Sequence, residues 1–195
     1  MDFKLHFERS WQVGTSFFVP ILINTLVFFG VSIISLGFMA PVLSAGYMQS
    51  LLLALRENRK PDVKDLFAHM ELFFPLLGFS FLFVLVAGIG LLMLILPGIA
   101  IILAGIFFLV YMLPLMTDQH MDLFKAIKAS YRISLEDPIG EHFAVVAVFV
   151  ILASVGSSTV LGALLAHPYS CLFILSAYEE KRQRLLTEPE TVPPP

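Results

Sequence analysis

The sequence predicts an all-α integral membrane protein with about six transmembrane helices arranged as three hairpins, joined by short amphipathic cytoplasmic helices. All 27 charged side chains lie in four short stretches. The uncharged blocks between them, Ser10–Leu55, Leu72–Thr117 and His142–Tyr178, run for 46, 46 and 37 residues. A charged residue at the centre of a spanning helix costs about 2.5–3.5 kcal/mol on insertion scales, so such blocks are typical of helices in lipid.

The lengths of the blocks indicate two spans in each. A helix rises about 1.5 Å per residue, so 46 residues in one helix would extend roughly 69 Å, against a hydrocarbon core of about 30 Å. Two spans of about 20 residues fit each longer block, and two of about 17 fit the shortest. With 58% hydrophobic and 14% charged residues, the chain is predicted to form a single membrane domain over residues 1–186.

Glycine and proline, the strongest local breakers of helices, place a turn near the middle of each block. The turns are predicted at Gly37–Pro41, Pro97–Gly98 and Gly156–Thr159. His167–Pro168 is an alternative position for the third turn, but a turn there would leave only ten residues before Glu179. The earlier position is therefore preferred, and Pro168 is predicted to kink the last helix. The predicted spans are roughly 16–36, 40–55, 72–95, 99–117, 142–156 and 160–178.

Paired spans return the chain to one side of the membrane after each block. All twelve Lys and Arg residues then lie on that side, which the positive-inside rule assigns to the cytoplasm. Both termini are therefore predicted to be cytoplasmic.

Two of the charged stretches carry apolar residues at helical spacing, which predicts amphipathic helices along the inner membrane surface. The alternative is that they pack on the helix bundle. Their charge favours this alternative, because residues 56–71 are neutral overall and residues 118–142 carry a net charge of minus two, whereas lipid docking usually needs four to eight clustered basic residues. The two apolar series are Val63, Leu66, Phe67, Met70 and Phe74, and Met121, Phe124, Ile127, Tyr131 and Leu135.

The two ends of the chain have different predicted roles. Phe3, Phe7 and Trp11 recur every four residues ahead of the first span and are predicted to anchor an amphipathic turn at the membrane interface. Residues 187–195 are acidic and rich in proline, which predicts a disordered tail.

Motifs of soluble enzymes are absent from the sequence, including the nucleotide loop, the His-Glu-x-x-His zinc helix and the Gly-x-Ser-x-Gly elbow. Asp118-x-His120-x-Asp122 offers three metal-ligand side chains, but His120 would point away from a helix face shared by the two acids. A helix cap is the preferred interpretation. No catalytic residue, cofactor or metal is predicted, and the protein is predicted not to be an enzyme.

The polar side chains inside the predicted spans define a possible intramembrane polar site at Asn24, Gln49 and His167. Of these only His167 is ionisable, as a proton-coupled transporter would require, whereas Asn and Gln most often form hydrogen bonds between helices. Pro20, Pro75, Pro114 and Pro168 can mark the broken helices of a transporter site, but prolines are generally common in membrane helices. Structural kinks are therefore favoured.

The order of several short motifs resembles a group of uncharacterised bacterial inner-membrane proteins. The motifs are Ala40–Met48, Asp65-Leu66-Phe67, Leu96-Pro97-Gly98, Pro114, Ala126–Ser130 and Pro168–Tyr178. That group is related in pattern to the membrane domain attached to some glycerophosphodiester phosphodiesterases. The resemblance implies a multi-pass protein of the bacterial cytoplasmic (inner) membrane and carries over no catalytic residue. Pro41 is predicted to start the second span and Gly46 to allow a close contact between helices.

The favoured functional hypothesis is a non-enzymatic scaffold or modulator of membrane proteins or lipids. Its partners would be the lipid bilayer and other membrane proteins or further copies of the chain, with no nucleic acid. The first alternative is a small solute transporter or channel lined by Asn24, Gln49, the Ser154–Thr159 cluster and His167. The second is an accessory membrane domain of a lipid enzyme.

Overall fold

A computed structural model describes residues 3–93, 95–136, 139–157 and 160–187, and every regular element within them is a helix. The all-helical class is thus confirmed. The α-helices are α1 (Phe3–Ser16), α2 (Phe18–Ile34), α3 (Ala40–Glu57), α4 (Phe73–Met93), α5 (Ile95–Leu109), α6 (Met112–Asp118), α7 (Leu123–Glu136), α8 (Ile139–Ser157) and α9 (Val160–Thr187). Two short 3-10 helices, Val63–Phe67 and Met70–Leu72, lie between α3 and α4.

Two to four helical segments of the described residues are long and apolar enough to cross a membrane. Val63–Met93 and Ile95–Asp118 qualify outright. Two further pairs qualify only if each bent pair is one span: α1 with α2, bent by 87°, and α7 with α8, bent by 113°. A helix lies at each of the six predicted spans, while the number of spans stays a prediction.

The centre of the fold is formed by α3 and α9. Helix α9 packs against α1, α2, α3 and α8, and α3 also packs against α4 and α6. Leu43, Leu52, Leu172 and Ile174 on these two helices are fully buried. The outer helices α4 and α5 instead expose large apolar side chains, such as Leu92, which is 89% exposed. An apolar exterior of this extent is typical of a surface that contacts another apolar phase.

Prolines mark the first turns of five helices, where a missing N–H costs no helical hydrogen bond. Pro20, Pro75, Pro97 and Pro114 are each the third residue of α2, α4, α5 and α6, and Pro41 is the second residue of α3. These prolines therefore start helices, and they do not kink continuous ones. Among the prolines of the described residues, only Pro168 lies well inside a helix, α9.

The turn predicted at Pro97–Gly98 is misplaced. Helix α4 ends at Met93 and α5 begins at Ile95, so both residues lie in the first turn of α5. A Cβ atom on Gly98 would lie 2.5 Å from the Leu91 backbone nitrogen, so this glycine allows α4 and α5 to approach closely.

The span predicted at 99–117 is divided between two helices. The Pro114 ring cannot donate to the Val110 carbonyl four residues earlier, and α5 ends at Leu109 before α6 begins at Met112. The break leaves the last carbonyls of α5 without helical donors. Side chains of α7 supply donors, because the Ser130 hydroxyl lies 2.7 Å from the Phe108 carbonyl oxygen.

The turn after α2 lies where glycine indicates it, whereas part of the third predicted turn is outside the described residues. After α2 the chain turns through Gly37, whose φ of +86° suits glycine. Helix α8 ends at Ser157 and α9 begins at Val160, on either side of Ser158 and Thr159, which are outside the described residues. The predicted tail also lies outside them apart from Thr187, the last residue of α9.

The stretch after α3 is not the surface helix that was predicted. It forms the two 3-10 helices, and Leu66 is fully buried. Asp62 caps the first of these helices by accepting from the Lys64 backbone N–H at 2.9 Å. The Asp65 carboxylate accepts from the Ser50 hydroxyl at 2.7 Å. This stretch therefore packs on α3, as the alternative interpretation of the sequence had it.

Helix α7 packs on the bundle through its small residues. Ala126, Ser130 and Ser134 are fully buried, whereas Phe124 is 82% exposed. Tyr131 and Leu135 are exposed as well, so much of the predicted apolar face points away from the bundle. On α1, Phe7 and Trp11 are likewise exposed, and the Trp11 ring stacks on Tyr169 at 5.5 Å.

Gly46 allows a close approach, but its partner is the first 3-10 helix. A Cβ atom at Gly46 would lie 2.5 Å from the carbonyl oxygens of Asp65 and Leu66. We expect Gly46→Ala to destabilise the protein by about 1–3 kcal/mol through overpacking, a loss larger than the gain of about 0.5–1 kcal/mol from alanine's helix propensity. The measurement is the melting temperature of the detergent-purified protein.

Gly30→Ala in α2 is the matched control, since a Cβ atom there would meet nothing within 4 Å. This variant should melt at or above the wild-type temperature. Equal melting temperatures for the two alanine variants would contradict the packing role of Gly46.

Candidate functional site

Charged side chains from three helices meet beside the C-terminal half of α9. We term Arg56, Asp118, Tyr178, Glu179 and Arg182 the charged cluster. The Arg56 guanidinium donates to Asp118 at 2.7 Å and also to Glu179. The Tyr178 hydroxyl donates to Asp118 at 3.1 Å, and the Arg182 Nε atom lies 3.3 Å from the same carboxylate.

The charged cluster is internally neutral and largely shielded from solvent. Two guanidinium groups face two carboxylates, and the side chains of Asp118 and Glu179 are only 5% and 11% exposed. The hydrogen bonds of Arg56 to Asp118 and Glu179 raise the pKa of its guanidinium, although partial burial opposes this. Bonds between ionised donors and acceptors are the strongest that side chains form, so the cluster holds α3 and α6 on α9.

Two more helices are bound to the same end of α9 by polar contacts. On α1 the His6 ring lies 2.8 Å from the Ser176 hydroxyl and 2.7 Å from the Glu180 carboxylate. On α8 the His142 Nδ1 atom lies 3.1 Å from the Lys181 ammonium. Residues from all four charged stretches therefore meet around one end of α9.

The residues Asp118, His120 and Asp122 do not converge. Asp118 belongs to the charged cluster, whereas the Asp122 side chain is 80% exposed and pairs with Lys125. His120 is exposed and has a φ of 49°. Within the described part of the chain, no three His, Cys, Asp or Glu side chains are placed to hold a metal ion.

An apolar cavity of about 340 Å³ lies among α3, α4, α5, α8 and α9. Its few polar groups belong to Ser44, Tyr47, His167 and Cys171, and Leu, Ile, Val, Met and Phe side chains form most of the remaining wall. The His167 ring packs against Tyr47 at 5.3 Å, and the Tyr47 hydroxyl is hydrogen-bonded to Thr25 at 2.8 Å. The cavity wall therefore offers few polar atoms to a ligand.

The predicted intramembrane polar site is not assembled as one site. Of its three residues, only His167 lines the apolar cavity. The Asn24 amide donates to the Asp62 carbonyl oxygen at 3.2 Å, which ties α2 to the stretch after α3. Gln49 is partly buried on α3 and is not among the cavity residues.

The charged cluster and the apolar cavity were both missed by sequence reasoning. The available signal was that Arg56, Asp118 and Glu179 each stand directly at the end of an uncharged block. Charges in that position must lie at the edge of the apolar bundle, where they can meet. Which ones pair depends on helix rotation, which spacing alone does not fix.

No family model, curated protein or solved structure matches the chain. The resemblance to bacterial inner-membrane proteins therefore stays a prediction, and the function is argued from the site alone.

Asp118→Asn is expected to destabilise the protein by about 1–3 kcal/mol, because it leaves Arg56 and Arg182 without one compensating charge. This loss of stability is smaller than the roughly 3–5 kcal/mol that follows when one partner of a fully buried ion pair is removed, because the Arg56 side chain is 26% exposed. Thermal unfolding of the protein in detergent measures the loss.

Asp122→Asn serves as the control, since it makes the same chemical change four residues away on an exposed side chain. It should change stability by less than about 0.5 kcal/mol. A loss of stability of equal size in both variants would show that the charged cluster contributes no more to stability than an exposed ion pair does.

Proposed function

We propose that the chain is a non-enzymatic integral protein of the bacterial cytoplasmic membrane that holds a lipid acyl chain and acts as a scaffold or modulator of membrane lipids or membrane proteins. Six spans would form three hairpins, with the charged face and both termini in the cytoplasm. The observation that carries the proposal is the apolar cavity, whose lining residue Ile174 lies one helical turn before Tyr178 of the charged cluster.

The membrane location is supported by the distribution of charge in the fold. Charged side chains and the His6 ring, which together come from four separate stretches, gather at one end of α9, while α4 and α5 present apolar side chains to the outside. Hydrocarbon excludes charges and accepts such apolar surfaces. This arrangement supports a position of the charged end at a membrane surface, which the positive-inside rule would assign to the cytoplasm.

The proposed occupant follows from the walls of the cavity and its surroundings. A volume of about 340 Å³ lies within the range of small-molecule sites, about 300–1,000 Å³. Two of the walls are α4 and α5, whose outer faces expose Phe81, Leu82 and Leu103. In a bilayer these faces are surrounded by acyl chains, so a lipid chain is the apolar molecule at hand.

The transporter alternative is less well supported. It requires Asn24, Gln49 and His167 to line one passage, but Asn24 is bonded to the Asp62 carbonyl and Gln49 does not reach the apolar cavity. An accessory role beside a lipid-processing enzyme fits the same lipid-binding proposal. In that case the partner would supply the catalytic residues.

The proposed topology predicts the side from which two exposed positions are labelled. In a Cys171→Ala background, Leu36→Cys should react with a membrane-impermeant maleimide added outside the cytoplasmic membrane, because it lies in the turn between α2 and α3. Lys60→Cys should react only after that membrane is opened. Both parent residues are exposed. The reverse pattern, or labelling of both from one side, would overturn the three-hairpin topology.

If an acyl chain binds in the apolar cavity, a larger side chain in the cavity wall should reduce lipid crosslinking, whereas a larger side chain outside the cavity should not. Ile106→Trp places a larger side chain in the cavity wall and should at least halve photocrosslinking by a phospholipid with a photoreactive acyl chain after stringent delipidation. Leu103→Trp is the control on the same helix, since Leu103 is exposed and outside the cavity. Equal crosslinking of both variants and of the wild type would contradict the proposed site.

A further inference from the structure

A second cavity, which we term the polar cleft, lies between α1, the end of α3 and the C-terminal half of α9. Its volume is about 640 Å³, within the range of small-molecule sites, about 300–1,000 Å³. Val13, Ala54 and Leu55 form the apolar part of its wall. The other lining residues carry polar side chains, in contrast to those of the apolar cavity.

Five side chains that line the polar cleft form no hydrogen bond or ion pair among the described residues, and all five are exposed. The other polar side chains of the wall are already engaged. Arg56 is bonded to Glu179, Ser176 is bonded to His6, and Gln183 interacts elsewhere. The five side chains that are available to a ligand belong to Arg9, Gln12, Ser16, Glu57 and Asn58.

The charged residues around the polar cleft balance one another. Two are cationic, Arg9 and Arg56, and two are anionic, Glu57 and Glu179. Arg56 and Glu179 are bonded to each other in the charged cluster, which leaves the Arg9 guanidinium on α1 and the Glu57 carboxylate on α3. These two groups do not pair with each other. A ligand with one anionic and one cationic group can pair with both of them, whereas a simple ion can pair with only one.

Helix α1 presents one face to the polar cleft and another to an apolar groove. Arg9, Gln12 and Ser16 recur at steps of three or four residues and so share one face, which lines the polar cleft. Phe7 and Trp11 lie on another face and are exposed beside a groove between α1, α2, α8 and α9. Exposed aromatic side chains are enriched at membrane–water interfaces. In the proposed membrane location the polar cleft therefore lies at the level of the lipid headgroups.

We propose that the polar cleft binds an aminoethyl phosphate group, carried either by phosphatidylethanolamine or by a small soluble molecule. The Arg9 guanidinium donates to the phosphate, and the Glu57 carboxylate accepts from the primary ammonium. The amides of Gln12 and Asn58 and the hydroxyl of Ser16 supply further donors to the phosphate oxygens. The inference rests on the proposed membrane location. It does not depend on acyl-chain binding, because the polar cleft and the apolar cavity share no lining residue.

The test compares a lipid and a soluble source of the group on the full-length protein. Melting temperatures are measured in nanodiscs of phosphatidylcholine with or without phosphatidylethanolamine, and in detergent with phosphoethanolamine or phosphocholine. A stabilising shift by phosphatidylethanolamine alone identifies the lipid as the source, and a shift by phosphoethanolamine identifies a soluble ligand. Phosphocholine should not stabilise the protein, because its trimethylammonium group has no N–H to donate to Glu57.

No shift from either source, or an equal shift from phosphocholine, would overturn the proposal. Cysteine labelling tests the membrane location separately. A failure of headgroup binding is therefore distinguishable from a failure of the proposed function.

The variants separate a specific site from general surface charge. Arg9→Gln and Glu57→Gln should each weaken the affinity for the effective source by about tenfold, since each removes one charge-assisted hydrogen bond. Lys4→Gln and Glu8→Gln are the matched controls on α1, because Lys4 and Glu8 pair with each other outside the polar cleft. Both controls should leave the affinity unchanged. All four parent residues are exposed, so the variants should fold. Equal losses in the cleft variants and the controls would show unspecific attraction and refute the site.

Discussion

The fold depends on pairing of charge at one end of an otherwise apolar bundle. The uncharged blocks contain no Asp, Glu, Lys or Arg, so the charged side chains lie beyond the block ends, and α9 carries five polar residues in succession from Tyr178 to Arg182. All five contact another helix. Glu179 meets Arg56 of α3, Glu180 meets His6 of α1, Lys181 meets His142 of α8, and both Tyr178 and Arg182 meet Asp118 of α6. A buried polar or charged group that loses its partner is costly. These contacts therefore favour helix rotations and depths around α9 that keep the partners together.

The same constraint explains how much of the structure could be predicted from the sequence. Exclusion of charge is a property of whole blocks, so block boundaries predicted where helices lie. The roles of the prolines were harder to predict, because a proline can either break a helix or fit into its first turn. Pro97 was assigned to a turn and Pro114 to the interior of a span, yet each is the third residue of a helix. Apolar spacing also failed for α7, whose buried residues are Ala126, Ser130, Ile133 and Ser134. The small residues allow α7 to approach the carbonyls of Phe107 and Phe108, which lie where α5 ends and accept from the Ser134 and Ser130 hydroxyls.

The candidate site could not be predicted because it consists of relations between distant stretches. Arg56 and Glu179 are 123 residues apart, and their pairing requires α3 and α9 to end at one level. The polar residues that do stand out within the blocks serve local roles. Asn24 fixes the stretch after α3, and Tyr47 links Thr25 to the ring of His167. A polar residue in an apolar block thus predicts that a partner exists, while the identity of the partner follows only from the three-dimensional packing.

Helix α9 orders the apolar cavity and the charged cluster along a single face. Cys171 and Ile174 line the apolar cavity, and Tyr178 belongs to the charged cluster. Successive steps of three or four residues keep all three on one side of the helix, and Ile174 and Tyr178 are separated by only about 6 Å of helix rise. Helices α3 and α9 both line the cavity, and Arg56 of α3 is bonded to Glu179 of α9. The contacts that hold α3 on α9 at the charged cluster therefore also set the distance between two walls of the cavity.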